Sequence, residues 1–471
     1  MGLSEKQAKH DLEIISQENN LTLSKEQTEA VIHISTSKDR FSAVQGLAGT
    51  GKTYMLNATR EVLEKNGYEV IGASFTGKAA EGLQTDAKIK STTIHSLLNK
   101  LEKEAGNSIL GEDFSHKIKW DFEGLTASQK PEVWVIDEAG LTDNNIMVNL
   151  QEAAKLKKAK VVLVGDYQQL APVGAGNSYS NLVQSGEIST CYLSDIRRQK
   201  DETLLKAVYE SVKGDINKSL ELMSDRIFEI KSPVKRIKAI TKEYTLLSTS
   251  EQEKTIVLTA KNKDRIAIND SIRKTLIKKG KLEQGKEYTI QTGKANECKR
   301  NFAVNDKIIF FKNDYKLGVM NGQTGNVIEI NDKSLIINSN DKNIEINLEN
   351  YNHFDHGYAM TTHKAQGITA NKVIINMDSS QKQLNSRNNY YVDISRAKNE
   401  VSIYTNSKCK IDQQVSLFAR KLSLNNFKRK DDSLKVKISR KIDYENKLYL
   451  SIKNLARKID DVNKIKIKYN K

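Results

Sequence analysis

The segment Gly46-Leu-Ala-Gly-Thr-Gly-Lys52-Thr53 constrains this chain more than any other. A loop of this spacing points its backbone N–H groups inward around an anion, backed by the positive end of a following helix. It has that meaning only between an apolar strand and a helix. Here the run Arg40–Gln45 precedes it and a helical stretch, Thr53–Asn66, follows. Chance produces G-x-x-x-x-G-K-[ST] in a chain this long about one or two times in a hundred. The expected ligand is ATP with Mg²⁺. Gly46, Gly49, Thr50 and Gly51 shape the loop, Lys52 meets the β- and γ-phosphates, and Thr53 ligates the metal.

A second element completes the chemistry. Val133-Trp-Val-Ile-Asp137-Glu138-Ala139 is an apolar strand ending in two adjacent carboxylates. Asp137 is expected to hold Mg²⁺, and Glu138 to polarise the attacking water. A further strand ends in Gly165-Asp-Tyr-Gln-Gln169-Leu-Ala-Pro172-Val173. Together these elements describe a nucleotide hydrolase.

Around them, short strands alternate with helices: Glu69–Ser74, Val161–Val164, Thr255–Thr259, Lys372–Asn376 and Val401–Tyr404 as strands, Asp201–Val212 as a helix. Such alternation predicts an α/β fold of parallel sheets covered by helices. Between Lys281 and Leu348 the pattern becomes strands separated by turns such as Asn321-Gly322 and Asn331-Asp332, which predicts an inserted antiparallel module. The expected organisation is a first lobe over 1–190 and a second over 191–280 and 349–405. The β module spans 281–348, and a tail covers 406–471.

Charge and cysteines narrow the setting. Of the net charge of +16, the segment Asn406–Lys471 supplies most, with 19 Lys/Arg against 7 Asp/Glu. A polyanion partner fits this excess, and so does a lysine-rich solvated tail. Cys191, Cys298 and Cys409 lie about a hundred residues apart, which forms neither a metal knuckle nor a disulfide framework and points to the cytoplasm. No apolar run reaches the roughly 18–20 residues that span a bilayer.

The loop at Gly46–Thr53, the Asp137-Glu138-Ala139 strand end and the Gly165–Val173 string resemble motifs I, II and III of superfamily 1 helicases, in the same order. Ile196-Arg197-Arg198-Gln199 resembles motif IV, Tyr358–Gly367 motif V, and Tyr391-Val-Asp-Ile-Ser-Arg396-Ala397 motif VI. The resemblance spans roughly residues 20 to 405. It implies two RecA-like lobes that close on ATP, with Gln169 sensing the γ-phosphate. Arg198 and Arg396, expected together on the second lobe, would supply positive charge, and Gly367 would line the nucleotide site. Leu-Ser24-Lys-Glu-Gln27 resembles the Q-motif, whose glutamine reads adenine, and it equally spells a helix capping box.

Strand contacts follow from the same resemblance. Phe75-Thr76-Gly77-Lys78-Ala79-Ala80 resembles motif Ia and Thr93-Ile-His95-Ser-Leu motif Ib; Thr361, Thr362 and His363 are their counterparts on the second lobe. His95 and His363 are also open to a purely structural reading. The module residues Asn305–Phe311 and Leu317–Val327 resemble the SH3-like barrel of RecD-like proteins and of the helicase part of conjugative relaxases such as TraA and TraI. That branch implies 5′→3′ movement on single-stranded DNA, unwinding of duplex, and conjugation or repair proteins as partners. A repair-complex motor subunit and an inactive DNA-binding remnant are the alternatives. The segment Asn99–Lys130 leaves room only for a short duplex-splitting pin. None of the seven histidines forms the His-x-His pair of a relaxase, and about 40 residues precede the phosphate loop, so the motor part alone is expected.

Overall fold

The computed structural model describes residues 2–106, 120–292, 297–314 and 316–418. The central part of the expected pin segment and the basic tail past residue 418 lie outside the described residues.

The first lobe is a six-stranded parallel sheet. Its strands are β1 (Phe41–Gly46), β2 (Glu69–Ser74), β3 (Lys90–Thr93), β4 (Glu132–Asp137), β5 (Lys160–Gly165) and β6 (Ser189–Leu193), in the order β3-β2-β4-β5-β1-β6. Every residue of β5 is buried, as a parallel strand covered on both faces requires. Because β4, β5 and β1 are neighbours, their carboxyl ends lie side by side at one edge. The phosphate loop, the Asp137-Glu138 pair and the Asp166–Gln169 turn follow those three ends. Open α/β sheets bind ligands at such an edge. The sheet continues through Leu193, past the boundary expected at 190.

The second lobe begins with β7 (Ile227–Glu229) and β8 (Thr255–Thr259). The chain then leaves for the inserted module. There β9 (Lys286–Gln291) pairs antiparallel with β10 (Glu297–Phe302). A five-stranded antiparallel sheet follows, built from β11 (Lys307–Phe310), β12 (Thr324–Ile330), β13 (Ser334–Ser339), β14 (Lys342–Asn347) and β15 (Phe354–His356), in the order β14-β13-β12-β11-β15. Asn340 and Asp341 both take positive φ, which lets a two-residue turn join β13 to β14. The strand β15 carries the module to His356, beyond the end expected at 348. The chain returns through β16 (Ala359–Thr361), β17 (Ala370–Met377) and β18 (Ala397–Thr405), which complete a parallel sheet ordered β16-β8-β17-β18-β7.

One buried carboxylate ties module to lobe. Asp306, fully buried, accepts both Nε contacts of Arg273 at 3.1 and 3.0 Å, the Tyr358 hydroxyl at 2.6 Å and the Ala303 amide at 2.7 Å. Arg273 belongs to the helix Asn262–Lys278 that covers the second sheet. Removing one member of such a pair strands the other without its countercharge. Asp306→Ala is expected to cost about 3–5 kcal/mol of stability in denaturant unfolding, with Asp306→Asn costing less; a loss below about 1 kcal/mol would rule out this anchoring role.

Candidate nucleotide cleft and strand channel

The phosphate loop has the backbone its glycines allow. Gly49 and Gly51 sit at φ +87° and +77°, in the left-handed region. A Cβ on Gly49 would come within 2.7 Å of the Arg198 Cβ, and one on Gly51 within 2.6 Å of the Gln27 Nε2. Lys52 opens the helix Lys52–Lys65, and its ammonium donates to the carbonyls of Gly46 and Leu47 at 2.8 and 3.2 Å. Thr50 is buried, with its hydroxyl donating to the Leu47 carbonyl.

A cleft of about 890 Å³ brings the expected groups together: Gly49, Gly51, Lys52, Thr53, Asp137, Glu138, Gln169, Arg198, Gly367 and Arg396 all line it. Burial, then the neighbouring Glu138, push the Asp137 carboxyl up to about 7, which Lys52 partly opposes. Glu138 is held at φ +52°, a conformation unusual for a side chain of its size and found at functional turns.

Arg396 crosses the seam. It is 2% exposed, it donates from Nε to the Val392 carbonyl at 3.1 Å, and its Nη2 reaches Gln169 Oε1 on the first lobe at 3.4 Å. Gln366 approaches Glu138 Oε2 at 3.4 Å in the same way. Arg198 is placed differently from expectation. It lies on the connection after β6, packed on the phosphate loop, where the Arg197 amide donates to the Gly49 carbonyl at 2.9 Å. From there its Nη1 donates to the Ser395 carbonyl of the second lobe at 2.8 Å. Burial, then Arg396, lower the Arg198 guanidinium to about 9.

Gln27 forms the capping box. Its Oε1 accepts from the Ser24 amide at 2.9 Å, and its Nε2 donates to the Thr50 carbonyl at 2.9 Å. Both ends of this buried amide are engaged within the protein, so the geometry favours bracing the loop over reading adenine.

A separate channel of about 410 Å³ runs between the lobes. Thr76, Gly77, Lys78, His95 and His363 line it, joined by Asn313, Asn321 and Lys364. Thr361 and Thr362 do not reach this wall. Both are buried, and the Thr362 hydroxyl bonds the Asp393 carboxyl instead. Phe75 and Trp120 flank His95 at 6.2 and 5.9 Å between ring centres. Lys364 lies 4.0 Å over the Phe311 ring and donates to Asn321 Oδ1 at 3.0 Å. Sequence spacing did not single out Lys364 or Gln366, although both lie inside the quoted motif strings. Asn313 and Asn321 come from the inserted module; Asn321 was read there only as part of a turn and of the barrel string, and Asn313 was not marked at all.

Loop, paired carboxylates and cross-seam arginine have the arrangement of a two-lobed P-loop nucleotide site. Comparison with known proteins agrees. Residues 22–229 match a family model described as an AAA domain, and residues 356–404 one described as a UvrD-like helicase C-terminal domain. The chain is 29% identical over 388 residues to a probable conjugal transfer protein TraA of Sinorhizobium fredii, covering 81% of this chain and 32% of that protein. It is 26% identical over 366 residues to the ATP-dependent RecD2 DNA helicase of Deinococcus radiodurans, covering 76% and 46%. The structure of Bacteroides Pif1 helicase with ADP-AlF3 and single-stranded DNA shares the fold, with TM-score 0.54, 18% identity and coverage of 90% and 98%. A structure of two coordinating Pif1 helicases on forked duplex gives TM-score 0.57 at 20% identity, covering 87% and 97%. The ordered motifs resemble those of RecD-like superfamily 1 helicases, and over most of its length the chain is similar to TraA and RecD2 proteins. It spans about a third of the length of the TraA proteins it matches.

Gly49→Ala is expected to weaken binding of a fluorescent ATP analogue by at least about tenfold, because the new methyl group meets both a forbidden φ and the Arg198 side chain. Unchanged affinity would show that the loop conformation tolerates a side chain there.

Proposed function

We propose that this chain is an ATP-driven motor that translocates 5′→3′ on single-stranded DNA and separates duplex. The observation that carries the reading is Arg396, which extends from the second lobe into the cleft that holds Lys52 and Glu138 on the first. Charge developing on a transferring γ-phosphate is then stabilised from both lobes only while the seam is closed. Loss of the γ-phosphate removes what both lobes hold, and the seam relaxes. With Lys78 on the first lobe and Lys364 on the second each beside the strand channel, closing and opening become stepping.

Mg²⁺ fits the donor set. Thr53 offers a hydroxyl, and the raised Asp137 carboxyl next to Glu138 marks a place that favours a cation. Among the described residues no cluster of three or more His, Cys, Asp or Glu could cage a metal, which suits an ion held by few protein ligands and by phosphate oxygens. When bound, the ion would neutralise charge on the β- and γ-phosphates.

Three finer readings belong to the same proposal. The antiparallel module is SH3-like, as in the RecD-like branch, and from this branch comes the 5′→3′ direction. Likeness to TraA supports a role in conjugative DNA transfer, and likeness to RecD2 a role in repair. No helix among the described residues is long and apolar enough to cross a membrane, and no disulfide joins the three cysteines, which supports work in the cytoplasm.

Turnover is expected to rise severalfold with single-stranded DNA, and a 5′-tailed duplex to be unwound in preference to a 3′-tailed one. Arg396→Ala is expected to lower kcat at least about a hundredfold with the fold retained. DNA-stimulated hydrolysis surviving that change would defeat the assignment. Burial lowers Lys78 and Lys364 to about 8. Bound phosphates favour the ammonium form, so affinity for an oligonucleotide at constant salt should fall as pH rises through 8. Lys78→Arg should flatten that fall, and a pH-independent affinity from 7 to 9 would exclude these lysines as strand contacts.

A further inference from the structure

Helix Arg387–Ser395 of the second lobe does more than end in Arg396. Midway along it, Tyr391 is 1% exposed and makes two hydrogen bonds, both across the seam. Its hydroxyl oxygen accepts from the Ala48 amide of the phosphate loop at 2.7 Å, and its O–H donates to Asp166 Oδ2 at 2.8 Å. Asp166 is 2% exposed and is the centre of the turn after β5. It accepts from Gln45 Nε2 at 3.0 Å, from the Gln168 amide at 3.0 Å and from Gln169 Nε2 at 3.2 Å. One turn earlier on the same helix, Asn388 donates to the carbonyls of Gln168 and Gln169 at 3.0 and 2.8 Å.

These contacts close a circuit. It runs from the loop amide through the tyrosine hydroxyl to Asp166, then to Gln169 and Arg396. We propose that Tyr391 is a positioning residue whose hydroxyl fixes the phosphate loop, the Gln169 turn and Arg396 in one register, so that docking of this helix is what makes the cleft competent for hydrolysis. The inference rests on reading the cleft as an ATPase site. Three observations support it. A donor to a buried carboxylate makes the stronger kind of hydrogen bond. Burial, then Asp166, raise the Tyr391 phenol well above its ordinary value, so it stays a donor. The ring itself packs in the second-lobe core, so a phenylalanine would keep the packing and lose only the two polar links.

The neighbouring tyrosine supplies the control. Tyr390 is equally buried, yet its hydroxyl meets the Ser219 hydroxyl at 3.0 Å within its own lobe. Removing the Tyr391 hydroxyl deletes two buried hydrogen bonds across the seam, and removing that of Tyr390 deletes one within the lobe.

The test compares the full chain with Tyr391→Phe and Tyr390→Phe by DNA-stimulated ATPase, oligonucleotide binding, and hydrogen exchange of the peptide that contains Ala48. For Tyr391→Phe the expectation is a kcat about tenfold lower, with KM for ATP and DNA affinity within about twofold, and faster exchange at the Ala48 amide. Tyr390→Phe should match the parent protein in all of these. A role confined to packing or stability would move both variants alike and leave the split between kcat and KM untouched. Equal losses in the two variants, or parent-like turnover or Ala48 exchange in Tyr391→Phe, would overturn the proposal. A parent protein that fails to hydrolyse ATP would instead remove the functional reading, while the exchange comparison would still judge the hydroxyl tie by itself.

Discussion

Two buried guanidiniums at one seam set the terms for the rest of this molecule. Arg198 reaches across from the phosphate-loop side and Arg396 from the second lobe, and among the described residues neither forms a salt bridge with a carboxylate. Each is held by carbonyls and neutral side chains, and Arg396 lowers the affinity of Arg198 for its proton. Burying charge without a countercharge is unfavourable unless the surroundings are built to hold it. Here the surroundings are two separate sheets, so the arrangement exists only while the lobes are apposed. Glu138 acts on both guanidiniums without pairing with either, and a polyphosphate in the cleft would add negative charge beside them. In the proposed motor, nucleotide binding and closing of the seam would then be coupled.

The anionic side of the cleft shows complementary tension. Asp137 is held toward its protonated form by burial and by Glu138, and Glu138 is held in a left-handed backbone. Lys52, meanwhile, spends its ammonium on the carbonyls of its own loop. The two carboxylates are thus held in perturbed states, as groups at functional sites often are, while Lys52 is bonded only within its own loop. By contrast, the anchor between module and lobe is fully paired: Asp306 has Arg273, Tyr358 and an amide. The protein keeps its tension at the seam and its satisfied networks where rigidity is needed.

Much of the fold was legible because parallel strands buried on both faces leave uninterrupted apolar runs. The strands Glu69–Ser74 and Thr255–Thr259 emerge with the expected bounds, and the others within a few residues. Short or polar edge strands such as Lys90–Thr93 carried no such signal. The boundary of the first lobe fell short because Ser189–Leu193 pairs at the sheet edge, half exposed, where hydrophobicity says little. In the site, local motif strings located Lys52, Asp137, Glu138, Gln169 and Arg396. They put Arg198 in the cleft as well but assigned it to the second lobe, whereas it lies on the connection between lobes, which belongs to neither pattern. They also put Thr362 at the strand channel, where its hydroxyl turns inward to Asp393.

What the sequence determined by itself is the chemistry of the local parts: a phosphate loop, a pair of strand-end carboxylates and an inserted β module. Those are local properties, written in glycine spacing, strand-end acids and turn residues. Only the tertiary structure decided which parts touch. A tyrosine 343 residues from the loop amide it binds leaves no periodicity to read. Its placement depends on a helix of one lobe docking on the strand ends of the other, and that is settled by the packing of whole surfaces rather than by any short string of residues.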